Sequence, residues 1–257
     1  MKNRNSKKTN ILITSFAFIF LAGCSKSKEI KNSNEVVVIA ATGDINPRLN
    51  EFRKLLGDQL NTTPGVVGGR REINWDGIPD EWLNHKLPGD FFNQTGANAV
   101  ITNQRGLLYS STGNFQVSKT NFSEINAVAS GEFSSFSGDK SFANISSKLW
   151  DVEFQVAGQA VAAKVQGFGI VFSDVDLPKS VSLEFFNDAK NLGKFFVPAK
   201  EGSNFSFLGV YFKNEQVTRI RVVHDGQLDN GQNDISNNGP SDLVVMDNFL
   251  YSEPLKK

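Results

Sequence analysis

The sequence predicts an all-β protein, a jelly-roll-like antiparallel β-sandwich with one peripheral helix near its N-terminus. Three observations lead there. From residue 99 onward, short β-branched and aromatic runs alternate with turn residues, the pattern of a sandwich or barrel. Phenylalanine supplies the core, at 22 residues against 3 Tyr and 3 Trp. A single stretch has helical spacing, too little for an α/β fold.

The chain opens with Lys2, Arg4, Lys7 and Lys8 and no acid, followed by a nearly all-apolar run from Ile11 to Ala22. A basic segment and then an apolar run of roughly 7–15 residues describe a secretory signal. The run is too short to span a bilayer comfortably, which takes about 20 apolar residues. Leu21-Ala22-Gly23-Cys24 follows at once and resembles the lipobox of bacterial lipoproteins, which implies diacylation of the Cys24 thiol and cleavage before it. Cys24 is the only cysteine, so its acylation leaves the mature chain without thiolate, disulfide or redox chemistry. Ser25 at the next position, by resemblance to known sorting rules, is compatible with delivery to an outer membrane. The expected organisation is a signal peptide over 1–23, a tether over 24–35 and one domain over 36–257. Loss of the signal removes four of the 27 basic residues and leaves 23 against 27 acidic. With no basic block left, nucleic acid is a poor partner.

Val36–Ala41 reads as the first strand. Asn46-Pro47 then opens the helical window: Leu49, Phe52, Leu55, Leu56 and Leu60 share one face, Asn46 serves as N-cap, and the end falls near Gln59. Residues 64–98 are rich in Gly, Pro and Asn without a period, so a long loop is expected. Strands follow at Leu107–Ser110, Phe115–Ser118, Leu149–Val156, Gly167–Phe172, Val181–Phe186, Gly193–Val197, Phe205–Phe212, Val217–Val223 and Leu243–Tyr251.

Several motifs recur in order along residues 48–254: Gly69-Arg70-Arg71-Glu72-Ile73-Asn74-Trp75-Asp76-Gly77, Pro88-Gly89-Asp90-Phe91-Phe92-Asn93, Gly167 to Asp176 (GFGIVFSDVD), Leu183-Glu184-Phe185-Phe186, Phe205 to Val210 (FSFLGV), and Asp242 to Phe249 (DLVVMDNF). Together they resemble a family of exported bacterial β-rich proteins, some of which end in a PEP-CTERM sorting tail. This chain departs from that pattern in its lipobox and in ending Pro254-Leu255-Lys256-Lys257. The resemblance implies export and a β-rich fold, and it carries no catalytic residue with it.

Two constellations carry possible chemistry. In the segment 69–77, Arg70, Arg71, Glu72, Trp75 and Asp76 admit two readings. One is a binding rim, with Trp75 stacked on a ligand ring and an arginine on an anionic group. The other is a clasp, with the arginines paired to Glu72 or Asp76 and Trp75 plugging the sandwich. Asp174 and Asp176 lie on one side of a strand end and, with Asp247 on the last strand, offer hard oxygens to Ca²⁺. Asp225 and Asp229 in the oxygen-rich loop 225–234 are the other candidate ligands, although Asp, Asn and Gly also dominate ordinary turns.

Catalysis has little support. His85 and His224 are the only histidines, and neither a nucleophile elbow nor a zinc motif occurs. Glu184 and Asp176 would serve a glycosidase only at a defined separation. The expectation is a non-enzymatic, membrane-anchored lipoprotein of the cell envelope whose sandwich binds a ligand such as a carbohydrate. The alternatives are a structural or interaction protein of the envelope, and a polysaccharide hydrolase.

Overall fold

Gly167–Ser173 reads as an almost unbroken apolar run, and Val245–Ser252 is apolar apart from Asp247, Asn248 and Ser252, because the strands they form are buried throughout. That pattern arises when both faces of a sheet are covered. The computed structural model describes residues 35–257; the signal sequence, Cys24 and the tether up to residue 34 lie outside the described residues. The strands in chain order are β1 (Val36–Thr42), β2 (Arg70–Ile73), β3 (Leu107–Ser110), β4 (Phe115–Ser118), β5 (Ser141–Asn144), β6 (Leu149–Phe154), β7 (Ala163–Lys164), β8 (Gly167–Ser173), β9 (Ser182–Asn187), β10 (Lys190–Phe196), β11 (Phe205–Phe212), β12 (Arg219–Val223), β13 (Val245–Ser252) and β14 (Leu255–Lys256), with helix α1 over Asn46–Leu56.

The first sheet has the order β1-β11-β8-β13-β5-β4, with β2 also paired to β13, and the second has the order β10-β9-β12-β6-β3. All of these strand pairs are antiparallel. The chain is therefore an all-β sandwich. The second sheet alternates: Leu183, Phe185, Ile220, Val222, Trp150 and Val152 point into the core. Its outer face carries Asp151, which accepts from Arg221 Nε at 2.9 Å, and Arg219, whose guanidinium lies 3.8 Å from the Phe186 ring centre. Aromatic contacts between the sheets fill the interior, with Phe154 on Phe168, Trp150 on Phe249 and Phe185 on Phe212.

The outer face of the first sheet is covered twice. Leu49, Phe52 and Leu56 of α1 pack on Ile39, Val171, Phe207 and Leu250. Beside them, the long segment between β4 and β5 buries Phe122, Ala129 and Phe133 against Ala143, Leu243 and Val245. A pair of glycines makes the bed for α1: Gly169 and Gly209 face each other across β8 and β11, and a Cβ on either would come within 3 Å of the Phe52 ring.

Three expectations need correcting. The helix is preceded by Ile45 as its N-cap, with Asn46 already inside. It stops at Leu56 because Gly57 takes φ 132° and lies against Gly69, where a Cβ would fall 2.6 Å from the Gly69 Cα. Residues 64–98 are not all loop, since Arg70–Ile73 pairs with Phe249–Ser252. Arg70–Ile73 carries three charged side chains in four residues, with Arg71 buried against Glu253, so no apolar alternation marks it. Strands β5, β7 and β14 were likewise not expected.

Gly209→Ala is expected to overpack the α1 contact and cost about 1–3 kcal/mol, measured as a lower urea midpoint with an unchanged slope.

Candidate metal centre

Strand β8 delivers the chain to one end of the sandwich. There Asp174 adopts φ 70°, a left-handed conformation that costs a non-glycine residue energy and recurs at functional sites. Its N–H donates to the Asn204 carbonyl at 2.8 Å, and Lys200 N–H donates to the Val175 carbonyl at 2.6 Å. The 174–176 segment is thereby locked against the loop between β10 and β11, while Val175 is buried in the main core. Glu132 arrives on the β4–β5 segment, which is docked by Ser134 N–H on Ser173 Oγ (2.9 Å) and by Asn204 Nδ2 on the Glu132 carbonyl (2.7 Å). Asp234 comes from the β12–β13 loop, where it caps a short turn. Its carboxylate accepts from Ser236 N–H at 2.7 Å and Leu243 N–H at 2.6 Å.

Carboxylate oxygens of Glu132, Asp174, Asp176 and Asp234 all lie within 4.8 Å of one another. Asp174 and Asp234 are fully buried. The Glu132 carboxylate accepts from Ser236 Oγ and Asn237 Nδ2. Asp242 stands behind, its Oδ2 accepting the N–H groups of Asp176 (3.0 Å) and Leu177 (2.9 Å). Among the described residues one cation pairs with this group: Lys200 Nζ contacts Asp174 Oδ1 and lies 2.7 Å from Asp176 Oδ1. Asp174 Oδ2, Asp176 Oδ2 and Asp242 Oδ1 are buried without a hydrogen-bond partner.

Burial pushes Asp174 up to about 7 against the pull of Lys200, with Asp176 and Asp234 adding repulsion. Asp234 is raised to about 6, again first by burial, and Asp242 is raised by burial too. Crowded carboxylates in a low dielectric resist ionising together. A bound divalent cation removes that resistance, because its charge exceeds any other in such a site. The donor set is oxygen only, which suits a hard cation such as Ca²⁺ and not zinc or copper.

Of the acids proposed as ligands from sequence, Asp174 and Asp176 come together, and Asp225, Asp229 and Asp247 are not among the clustered carboxylates. Asp225 Oδ2 accepts the Asp242 N–H at 3.3 Å, and Asp229 sits exposed in a short turn. Asp247 lies at the register shift of β13, where its carboxylate accepts the N–H groups of Phe136 (2.6 Å) and Ser137 (2.9 Å). That hydrogen bonding makes it an anchor for the turn around Ser137. Sequence reasoning missed Glu132 and Asp234 as ligands. Asp234-Ile235-Ser236 carries the signature of an aspartate capping a turn, which marks the position without naming its partners. Glu132 carries no local signal.

The 69–77 segment has the geometry of a clasp. Trp75, at φ 64°, is fully buried, stacked on Phe142 at 3.8 Å, and donates Nε1–H to the Asp247 carbonyl at 2.9 Å. No face of the indole is left for a ligand ring. Arg71 is buried and paired with Glu253 at 2.7 Å. Glu72 takes both Arg53 (2.8 Å) and Arg70 (2.7 Å), and Asp76 accepts the Asp139 N–H at 2.9 Å. Glu184 sits on the outer face of the second sheet with Asn191 Nδ2 at 2.7 Å, in a different environment from Asp176. His85 is exposed, and His224 is buried with Nδ1 bonded to the Gly226 carbonyl. Comparison of the chain with protein families, curated proteins and solved structures finds no match.

Glu253→Ala is expected to strand the Arg71 charge and lower stability by about 3–5 kcal/mol, read from urea denaturation. A pH dependence follows as well. Burial raises Asp247, like Asp174, to about 7, so the folded state holds protons that the unfolded state has released, and stability falls as pH rises towards and through 7. Burial lowers His224 to about 4, which opposes this trend below its unfolded value of 6.5. The clean window therefore lies above it: the chelator-treated protein is expected to melt at a lower temperature at pH 8 than at pH 6.5, checked by calorimetry.

Proposed function

We propose that this chain is an exported, lipid-anchored β-sandwich that binds Ca²⁺ through Glu132, Asp174, Asp176 and Asp234, and that the loop end so ordered receives an extracellular ligand. The observation that carries the reading is the convergence of four carboxylates, two of them fully buried, within 4.8 Å of one another. Four carboxylates offer an oxygen-only donor set, and Ca²⁺ takes six to eight oxygen ligands in flexible geometry.

The loops that supply these acids are distant in sequence and converge at this end of the sandwich. An ion shared among them ties the β4–β5, β8–β9 and β12–β13 connections together, which gives the end of the sandwich a defined shape for recognition. Carbohydrate is the first ligand class to test, with an envelope protein as the alternative. The lipobox and the resemblance to exported β-rich proteins support the placement outside the cytosol, with Cys24 as the lipidated residue.

Titration of chelator-stripped chain with Ca²⁺ is expected to give saturable heat and a raised melting temperature. At a hundredfold excess over Kd the gain is about 2.7 kcal/mol. Asp174→Asn is expected to abolish both signals while remaining folded, since Asn tolerates left-handed φ. Absence of heat and of any thermal shift in the wild-type chain defeats the calcium reading. A glycan array run with calcium and with chelator tests the ligand class, and crosslinking in intact cells tests the envelope partner.

A further inference from the structure

Resting on the calcium reading, we propose that Lys200 is a tethered counter-cation: its ammonium occupies the carboxylate cluster in the metal-free state and is displaced when Ca²⁺ enters, so that metal binding is a cation exchange that frees this side chain.

The geometry supports the exchange from several sides. Lys200 Nζ bonds Asp174 Oδ1 and Asp176 Oδ1, both of them carboxylates of the proposed ligand set. An ion bound by these two residues and the ammonium therefore compete for the same negative charge, and like charges at that separation repel strongly in a poorly solvated site. One ammonium is also an incomplete partner. It leaves Asp174 Oδ2 and Asp176 Oδ2 buried and unbonded, and a univalent charge faces four acids. A divalent ion of six to eight oxygen ligands uses what the lysine leaves idle.

Lys200 has a way out. Its side chain is 26 % exposed, whereas the Asp174 side chain is wholly buried, so the lysine approaches from the solvent side and can withdraw to it on a flexible stem. The loop that carries it is fixed independently of the ammonium. Lys200 N–H holds the Val175 carbonyl, and Ser203 Oγ donates to the Gly43 carbonyl at 2.8 Å, so release of the side chain does not require the loop to unfold.

The test uses the purified chain with Ca²⁺ alone as probe. Lys200→Met keeps the length of the stem and removes the charge. It is expected to tighten the calcium Kd by about tenfold or more, as loss of one close like charge implies, while Lys200→Arg retains the weaker, wild-type-like affinity. In the wild-type chain, amine acetylation followed site by site is expected to label Lys200 faster with calcium than with chelator, relative to exposed Lys54. This second measurement stands even if Lys200→Met fails to fold. Wild-type binding with an unchanged or weakened Kd in Lys200→Met, or calcium protection of the Lys200 amine, overturns the exchange and leaves the calcium reading intact. Silence of both wild type and Lys200→Met overturns the calcium reading and the exchange with it. Binding by Lys200→Met alone supports the competition but overturns calcium as a ligand of the native chain.

Discussion

The cost of holding several carboxylates out of water governs this molecule's loop end. Asp174 and Asp234 are buried, Asp242 lies directly behind them, and Lys200 is the single cation among the described residues that offsets their charge. Burial of an uncompensated charge is among the most expensive arrangements in a protein. An arrangement of this kind persists only where the surrounding structure enforces it or a cation relieves it. Both conditions meet here. Rigid backbone hydrogen bonds fix Asp174 in a left-handed conformation, and Lys200 supplies a cation to Asp174 and Asp176.

The enforcing structure is the first sheet. Strand β13 is its hub: β8 runs along one edge, and β5 and β2 divide the other on either side of a register shift. At that shift Asp247 holds the turn at Phe136 and Ser137, and its carbonyl receives the indole N–H of Trp75. The same turn belongs to the segment that carries Glu132. Packing of Trp75 against Phe142 and Phe249 thus reaches the carboxylate cluster through two hydrogen-bonded links. The clasp formed by Arg71 and Glu253 then ties β2 to the stretch just beyond β13. Residues that look like a binding surface in sequence, two arginines and a tryptophan, are spent on holding the frame.

Coverage of both faces of the first sheet explains why its strands lack alternation. Helix α1 and the β4–β5 segment each bring a small apolar cluster to the outer face. The glycine pair at 169 and 209 gives the helix a flat bed that any side chain would raise. The second sheet keeps a solvated outer face, where Arg219, Arg221 and Asp151 form a charged ladder, and its strands alternate accordingly.

Local pattern was enough for the sandwich, most of its strands and helix α1, because period-2 burial and turn chemistry act between near neighbours and leave a local mark. It also singled out Asp174 and Asp176, although β8 ends at Ser173 and the left-handed backbone at Asp174, not strand alternation, sets how the two carboxylates meet. Arg70–Ile73 was illegible because its inward side chain is an arginine, buried only by virtue of Glu253 far along the chain. Only the tertiary structure brought Glu132, Asp234 and Lys200 to the same point, and only it separated Asp225, Asp229 and Asp247 from them. Apart from Asp247, which lies within β13, these residues sit in connections between strands and carry no pattern that names their partners. Which loops meet is decided by how the strands that carry them pair and stack, and long-range pairing leaves no imprint on the residues beside it.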